Sequence, residues 1–427
     1  MLLYFASYCV KEPPKDKPAG QARRPRTPEL LCGGASIAMP TSACRRSYVC
    51  KSGKVLVQIN SDKILINLKP FNMKNTNNSL DFTGQNIYVG MDVHKRTWTC
   101  TICSQHAILK KVVFERPFTK NLVNYLRRNF PNANCYSAYE AGFCGFVAQK
   151  ELKAEGVNCI VVNPADIPVS DKEKQFKTDL RDSKKIAVTL RSGELKAIYV
   201  PTLENQKDRA VVRERWSISK DQTRAKNQIK SHLNFFDIEI PEDFTSRYWS
   251  IKFVDWLLKI AEEKQDDALK VKIQKHIILR THQLWATREL RKLSRTDRHI
   301  ELSKNLLTVP GVGLFHAMVF LTELIDMKRF KNENHLFSFC GLIPTTNTSA
   351  DKQRIGEMTR RGNTRVTTAL IKSAWVAIRS DNELLMRYET YRKRMNGNKA
   401  IIKIAKTLVR RIRKVWIHKE KYIKAEC

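Results

Sequence analysis

The chain has 427 residues, and its 77 Lys and Arg against 42 Asp and Glu give a formal net charge of +35. That excess is far beyond what solubility needs and indicates a polyanionic partner, most simply nucleic acid. Hydrophobic residues make up 42% and charged residues 28% of the chain. These fractions exclude an entirely disordered protein and suit two or three globular domains.

Two stretches of the chain are apolar enough to be considered as an export signal or a membrane span, and neither has the expected pattern. Met1–Val10 lacks a preceding basic region, and Leu306–Ile325 is interrupted by proline, glycine and glutamate. Eleven cysteines, an odd number, favour a reducing compartment, and Cys100 and Cys103 are taken as small core residues. We therefore expect a cytoplasmic, nucleoid-associated protein with no membrane partner.

Residues 1–84 are rich in Pro, Lys, Arg and Ser and show no sustained hydrophobic period. This composition predicts a largely disordered leader, apart from a hairpin within Val55–Ile66. An alternative hypothesis is that translation begins at Met73, just before the first convincing strand.

Residues 85–202 alternate strand-like and helix-like patterns. An antiparallel meander followed by alternating helix and strand is the order of the ribonuclease H-like fold. The predicted strands are Ile87–Val93, Trp98–Ser104, Ala107–Phe114, Cys135–Glu140 and Val157–Val162, and the predicted helices are Asn121–Arg128, Phe146–Glu155 and Thr178–Ser192.

Four carboxylates occupy positions that suit metal ligands. Asp92 lies near the exit of the first predicted strand, and Glu140 ends the fourth. Asp179 and Asp182 are three residues apart, so one helix face carries both. Four acids in one site would repel each other, and two Mg²⁺ ions about 4 Å apart would relieve that repulsion and serve phosphodiester chemistry. The pattern therefore predicts a magnesium site of the nuclease type.

Residues 203–303 turn strongly charged and helical. Two narrow apolar seams, separated by Pro241, predict an antiparallel helical pair or coiled coil. A spacer and a dimerisation arm are equally consistent with this pattern. The seams consist of Ile218, Ala225, Ile229 and Leu233, and of Leu269, Ile273, Ile277 and Leu284.

Residues 304–427 open with Pro310-Gly311-Val312-Gly313 between two apolar segments. Such a turn resembles a helix-hairpin-helix, in which Gly311 and Gly313 would let backbone N–H groups approach a phosphate. A plain tight connection between helices is the competing explanation. The basic tail Lys399–Lys424 predicts an amphipathic helix with solvated charges, which are also placed to follow a nucleic-acid backbone. Its apolar face carries Ile401, Ile404, Leu408, Ile412 and Trp416.

From Tyr88 onward the chain resembles the insertion-sequence one-ten family, the DEDD-type transposases that act as bridge-RNA-guided recombinases. Six motifs in compatible order carry the resemblance. They are Val89-Gly90-Met91-Asp92-Val93-His94-Lys95, Tyr139-Glu140-Ala141, Lys177-Thr178-Asp179-Leu180-Arg181-Asp182, Pro310-Gly311-Val312-Gly313, Gly341-Leu342-Ile343-Pro344 and Arg361-Gly362-Asn363.

The resemblance implies a RuvC-like domain at 85–202, a helical linker at 203–303 and a mostly helical C-terminal transposase domain at 304–427 with a serine nucleophile. Ser349 falls on the nucleophile position, although Ala350-Asp351 replaces the family's glycine pair. The resemblance also implies Mg²⁺, DNA, a structured guide RNA and a homo-oligomer, dimer or tetramer, formed through the linker. Phosphate contacts are expected from Lys352, Arg354, Arg360 and Arg361.

The sequence thus predicts a transposase that cuts and rejoins DNA with a DEDD metal cluster and a serine nucleophile. One alternative is a RuvC-like junction endonuclease that hydrolyses phosphodiesters with metal-activated water. Another is a non-catalytic nucleic-acid-binding remnant of a dead element, a reading that the altered Ala350-Asp351 sequence keeps open.

Overall fold

The structure, a computed structural model, describes residues 81–168, 178–244, 249–349, 352–359 and 361–423, and the backbone of four short strands before them. The chain divides into two units, Met1–Ser79 and Leu80–Cys427. The first unit contains two antiparallel hairpins, the second of which lies within the stretch predicted to form one. The hairpins pair Ser47–Cys50 (β1) with Gly53–Leu56 (β2) and Ile59–Asn60 (β3) with Lys63–Ile64 (β4). The expected disorder of the rest of this segment and the start at Met73 lie outside the described residues.

The second unit begins with a five-stranded sheet in the order β7-β6-β5-β8-β9. β5, β6 and β7 form the predicted antiparallel meander, and β8 and β9 add to the other side of β5 in parallel. The α/β alternation predicted from the sequence is therefore confirmed. The strands are Asn86–Val93 (β5), Trp98–Cys103 (β6), Ile108–Phe114 (β7), Asn134–Glu140 (β8) and Asn158–Val162 (β9), and the helices are Phe118–Asn129 (α1), Val147–Ala154 (α2) and Asp179–Arg191 (α3).

Helices cover both faces of this sheet. One core packs Met91 and Tyr139 of the sheet against Leu122 of α1 and Leu152 of α2. A smaller core on the other face packs strand residues against Ile186 of α3. Because both faces are covered and β5 and β7 flank it, the inner strand β6 is buried along its whole length. The two cysteines of that strand, Cys100 and Cys103, are free and buried, as expected for small core residues.

Three helices form the linker region. They are Leu203–Phe235 (α4), Ile251–Glu263 (α5) and Asp267–Ser294 (α6). The side chains of Gln283 and Ser219 lie 3.3 Å apart, and those of Asp266 and His232 lie 2.6 Å apart. A later residue of α6 thus contacts an earlier residue of α4, so the two helices run antiparallel, as predicted. The short helix α5 was not predicted, and its Phe253 packs into the core at one end of that pair.

The predicted seam of α6 is only partly correct. Leu269 and Ile273 are buried, but the Leu284 side chain is 58% exposed. Its neighbour Gln283 faces Ser219 of α4, and one residue along a helix turns the side chain by about 100°. Leu284 consequently points away from α4, because the face of α6 that contacts α4 changes between Ile273 and Gln283.

The C-terminal region is mostly helical, as predicted. The elements are Ile300–Leu306 (α7), Leu314–Leu324 (α8), Glu333–Phe339 (α9), the hairpin of Pro344–Ser349 (β10) and Lys352–Met358 (β11), Thr364–Ser380 (α10), Asn382–Arg392 (α11) and Gly397–His418 (α12). They enclose one large core, in which Phe320 of α8, Leu370 of α10 and Leu408 of α12 are all fully buried or nearly so.

The tail helix differs from its prediction in two respects. It ends at His418, because Lys419 adopts a left-handed conformation with a φ of 56°. Its charges are also not all solvated: Arg411 is buried and donates hydrogen bonds of 2.7 Å to both Asp381 and Glu383. This arginine fastens α12 to α11. Within the described part of the chain, no helix is both long and apolar enough to cross a membrane.

Candidate metal centre and the C-terminal hairpin

The position of α3 against the sheet depends on a glycine. A Cβ atom on Gly90 would lie 2.2 Å from the backbone nitrogen of Ala187 and 2.2 Å from the backbone oxygen of Ser183. Only a residue without a side chain allows this approach. A buried hydrogen bond of 2.9 Å between the hydroxyls of Thr101 and Ser183 ties the same helix to the neighbouring strand β6.

Strand alternation turns two predicted ligands toward α3. Met91 and Tyr139 pair across the parallel strands β5 and β8 and belong to the core on the opposite face. The next residues, Asp92 and Glu140, therefore point to the face on which α3 packs. Both stand at the carboxyl ends of adjacent parallel strands, which places them at one edge of the sheet.

The first turn of α3 completes the arrangement with Asp179. The Nε2 atom of His94 lies 3.2 Å from Asp92 Oδ2 and 3.6 Å from Asp179 Oδ1. One ligand atom from each of these three residues lies within 4.8 Å of the others. The structure thus brings together two of the four predicted carboxylates and adds an imidazole that sequence reasoning missed.

The other two carboxylates border this cluster. Asp182 lies one turn further along α3, and its Oδ1 is 3.8 Å from Lys185 Nζ. Glu140 is half-buried at the end of β8. The metal roles of all four carboxylates remain predictions.

The surroundings of Asp92 change its pKa. Burial raises the pKa of Asp92 above its ordinary value of 3.8, and the nearby charges of Asp179 and Asp182 raise it further. His94 acts in the opposite direction, since its charge and its hydrogen bond lower the pKa of Asp92. A cation beside Asp92 would therefore be favoured.

We expect Gly90→Ala to destabilise the protein by about 1–3 kcal/mol or more, because α3 would have to move away from β5. Gly142→Ala is the control, since a Cβ at Gly142 meets nothing nearer than 4.0 Å. Thermal unfolding followed by circular dichroism measures both changes. Equal unfolding temperatures for the two variants would contradict the close packing of α3 on Gly90.

Ser349 is the last residue of strand β10. Its backbone pairs with that of Lys352, the first residue of β11. The backbone of Arg354 pairs with Asn347 on the same hairpin. Arg360 lies outside the described residues.

Two of the sequence motifs meet at the base of this hairpin. A Cβ on Gly362 would lie 2.3 Å from both the nitrogen and the Cα of Gly341. The backbone N–H of Asn363 donates to Phe339 O at 2.8 Å, and that of Thr359 donates to Ile343 O at 2.9 Å. The two glycines let these segments cross in contact, which anchors the hairpin to the helical core.

The glycines of the Pro310 turn have different surroundings. The turn connects α7 and α8, as predicted. Gly311 has a φ of +80°, and a Cβ there would lie 2.1 Å from Ser373 O on α10. Close packing against α10 therefore explains a glycine at position 311 without any phosphate. At Gly313, by contrast, nothing lies within 4 Å of a Cβ. Contact of either glycine with a phosphate remains a prediction.

A buried carboxylate that the sequence analysis did not select joins the linker to this region. Glu323 of α8 is 2% exposed and accepts hydrogen bonds of 2.7 and 2.9 Å from Arg213. Asn363 Nδ2 donates to it at 2.9 Å. Burial alone raises the pKa of Glu323, but the hydrogen bonds and charges of Arg213, Asn363 and Arg209 hold it below its ordinary value. A single acid within the apolar segment of α8 is the signal that could have identified it.

Arg361, one of the predicted phosphate contacts, faces the segment that follows β9. Its Nη1 is 3.8 Å from Asp166 Oδ1, and its side chain is 70% exposed. It borders a cavity of about 700 Å³ that Ala141, next to Glu140, also lines. The cavity therefore connects the end of β8 with the segment that anchors the hairpin.

Two family models match the chain. The model of the DEDD domain of IS110 transposases, described as "Transposase", matches residues 89–237. The model described as "Transposase IS116/IS110/IS902 family" matches residues 303–389. The first covers the sheet, the carboxylate cluster and helix α4, and the second covers the region from α7 to α11 that contains the hairpin.

Individual relatives agree with these models. The y4qE protein of Sinorhizobium fredii, which carries a transposase name, is 30% identical over 56% of this chain and 58% of its own length. The transposase for insertion sequence element IS1533 of Leptospira borgpetersenii is 27% identical over 59% of this chain and 74% of its own. The match thus spans less than two thirds of y4qE but more of the second relative. The chain belongs to the IS110 family of transposases.

Proposed function

We propose that the protein cuts and rejoins DNA, with Mg²⁺ held by Asp92, Glu140, Asp179 and Asp182 and with Ser349 as the nucleophile. The observation that carries the proposal is the convergence of Asp92 and Asp179 at the edge of the sheet where Glu140 also ends its strand. Sheet order and the position of α3 support a ribonuclease H-like, RuvC-type domain at 85–202. The linker at 203–303 and the transposase domain at 304–427 complete the proposed organisation.

The donor set at the cluster suits a hard divalent cation. Carboxylate oxygens are the ligands that Mg²⁺ prefers. Burial first, and then the charges of Asp179 and Asp182, raise the pKa of Asp92, so a cation beside it would stabilise the ionised carboxylate. Imidazole suits zinc and the later transition metals better than Mg²⁺. His94 is therefore better placed to hold the two carboxylates by hydrogen bonding than to bind Mg²⁺.

The residues of the chain divide the chemistry between two domains. Bound Mg²⁺ would polarise the scissile phosphodiester and stabilise the charge that develops on it. Attack by the Ser349 hydroxyl forms a serine–phosphate bond and breaks one strand bond, and the serine proton passes to a nearby base while the leaving oxygen gains one. Because the phosphoserine keeps the energy of the broken bond, the strand can be resealed without ATP.

Nucleic acid is held, in this proposal, by the basic residues around the two sites. Lys352, Arg354, Arg360, Arg361 and the backbone of the Gly311–Gly313 turn contact phosphates of the DNA. His94, Lys95, Arg116 and Lys120 line a cavity of about 820 Å³ beside the carboxylates, which suits a strand that approaches them. Because the proposed substrate is DNA, the protein would be located at the nucleoid.

A structured RNA selects the sites, and two or four copies assemble through the linker helices. The antiparallel α4–α6 pair leaves Val271, Ile278 and Trp285 exposed, which favours a dimerisation arm over a spacer. These partners are the part of the proposal that rests most on the family.

We expect the purified protein to join two DNA molecules only with Mg²⁺ and with RNA transcribed from the DNA that flanks its coding sequence. Amplification across the new junction measures the product, and EDTA is expected to remove it. Joining without that RNA would contradict the guide. Cut ends that are never joined would favour the hydrolytic junction endonuclease, and binding without cutting would favour the non-catalytic remnant.

A further inference from the structure

A second basic cavity lies between the linker and the C-terminal helices. It has a volume of about 570 Å³ and shares no lining residue with the carboxylate cluster. Four cationic side chains line it: Arg215 and Lys220 from α4, and Arg365 and Lys372 from α10. Lys220 and Lys372 are exposed, so the mouth of the cavity is at the protein surface.

The two arginines of this cavity have buried N–H groups without acceptors. The Nε atoms of Arg215 and Arg365 are inaccessible to solvent and have no hydrogen-bond partner within the described residues. A buried N–H without an acceptor costs about 1–3 kcal/mol, so such groups are rare without a reason. Both of these arginines line the same cavity, so the described part of the chain does not satisfy all the donors of either guanidinium group.

The lining of the cavity contains no carboxylate among the residues that the structure describes. The preceding turns of α4 differ, because Arg209 and Arg213 there are both paired with the buried carboxylate of Glu323. The chain therefore supplies a buried anion for one pair of arginines and leaves the next cluster uncompensated. An external anion would complete the second cluster as Glu323 completes the first.

The neighbouring groups fix the geometry and report the electrostatic potential. Arg215 lies over the ring of Phe315, with its Cζ 4.1 Å from the ring centroid, and its Nη1 donates to Ser219 at 3.0 Å. His316, which hydrogen-bonds Ser373 at 2.8 Å, has its pKa lowered to about 4, first by burial and then by the charges of Lys372 and Arg215. The potential at this cavity is therefore strongly positive.

We propose that this cavity binds a phosphate group of a nucleic-acid backbone. The guanidinium groups supply charge-assisted N–H donors, the exposed lysines supply charge at the rim, and the hydroxyl of Thr364 supplies a further donor. A polyanion is favoured over a free ion because the whole chain carries a net charge of +35 and the two lysines stand where a strand would pass. The contact joins α4 to α10, so one phosphate holds the linker against the C-terminal domain.

Two double variants with the same change of charge test the proposal. Lys220→Gln with Lys372→Gln removes the rim of the cavity, and Lys207→Gln with Arg379→Gln removes two exposed charges of the same two helices that do not line it. Affinity for a fluorescent oligonucleotide is measured without Mg²⁺ over a series of salt concentrations. Cleavage plays no part in this measurement, so its outcome is independent of the catalytic proposal.

We expect the cavity variant to bind about 10-fold more weakly at 0.1 M salt and to lose about one unit of the logarithmic salt slope, as for one lost phosphate contact. The matched control should keep the slope of the wild type. In the wild type, the oligonucleotide should also protect Lys220 and Lys372, but not Lys207, from reductive methylation read by mass spectrometry.

Inorganic phosphate separates the two sources of the anion. Protection of Lys372 by millimolar phosphate, with no protection by the oligonucleotide, would replace the backbone by a free anion and overturn the proposal. Equal losses of affinity and slope in the two double variants would overturn it as well, because the charges would then act only through the overall field. Arg365→Lys keeps the positive charge but loses the planar guanidinium group. This variant should bind the oligonucleotide more weakly than the wild type, because a guanidinium is the better donor to a phosphate.

Discussion

Replacement of Asp92 by asparagine is expected to lower DNA cleavage at least about 1000-fold, which corresponds to roughly 4 kcal/mol of lost transition-state stabilisation. The amide is neutral and offers one oxygen, so a cation near His94 and Asp179 would lose a half-buried charged ligand. Nucleic-acid binding should change little, because one charge is small beside a net charge of +35. Cleavage of a labelled DNA and its binding in a gel-shift assay measure the two effects separately.

The fold of this variant should not suffer. Because burial raises the pKa of Asp92 in the folded protein, the ionised carboxylate destabilises the metal-free fold. That cost is absent below the ordinary pKa of an aspartate and is complete above the raised value, so it is present at neutral pH. Asp92→Asn should therefore unfold at a temperature no lower than the wild type in EDTA.

A matched control separates the site from the general field. Asp267→Asn makes the same change of charge on the linker, where the side chain is 92% exposed, and it should leave cleavage intact. Asp179→Asn should behave like Asp92→Asn, since both carboxylates face His94. Wild-type cleavage rates in either site variant with Mg²⁺ would refute the metal assignment.

The sheet could be predicted because its signal is local. Apolar residues and the turn residues that bound them specify the strands. A short apolar run such as Trp98–Cys103 is too short for a typical helix and is therefore predicted as a buried strand. The boundaries shifted where a cap rather than the apolar pattern decides them. The helix predicted from Asn121 begins at Phe118, directly after Pro117, because proline is readily accommodated at a helix start.

The partners of the buried charges could not be predicted. Arg213 and Glu323 are 110 residues apart and meet only when α4 packs on α8. His94 was visible within its motif, but its position between Asp92 and Asp179 depends on how closely α3 approaches Gly90. Such contacts arise from tertiary packing, to which neither spacing nor residue type is sensitive.

The environment of Ser349 was predicted only in part. The resemblance selected the residue but predicted no secondary structure around it, and its backbone is paired with that of Lys352. Threonines favour strands, and β10 contains three of them, but the proline and the asparagine of the same segment do not favour strands. The contact of Gly362 with Gly341 at the base of the hairpin lies outside both strands and could not be predicted from the local sequence.

Ser349→Ala is expected to abolish a covalent protein–DNA adduct and to lower strand joining about 1000-fold or more, since no other atom replaces the nucleophile. A nicked suicide substrate should trap the wild type on DNA, because the short released strand diffuses away before it can reseal the bond. Denaturing gel electrophoresis of labelled DNA with wild type and variant measures the adduct.

The neighbouring hydroxyl provides the control. Thr348 precedes Ser349 in the chain, and the resemblance gives it no part in the chemistry, so Thr348→Ala should reduce the adduct only slightly. A hydrolytic enzyme would cut the substrate with either variant and would leave no adduct even in the wild type, because water would take the place of the serine. An adduct that persists in Ser349→Ala but disappears in Thr348→Ala would show that Thr348, and not Ser349, is the nucleophile that attacks the scissile phosphate.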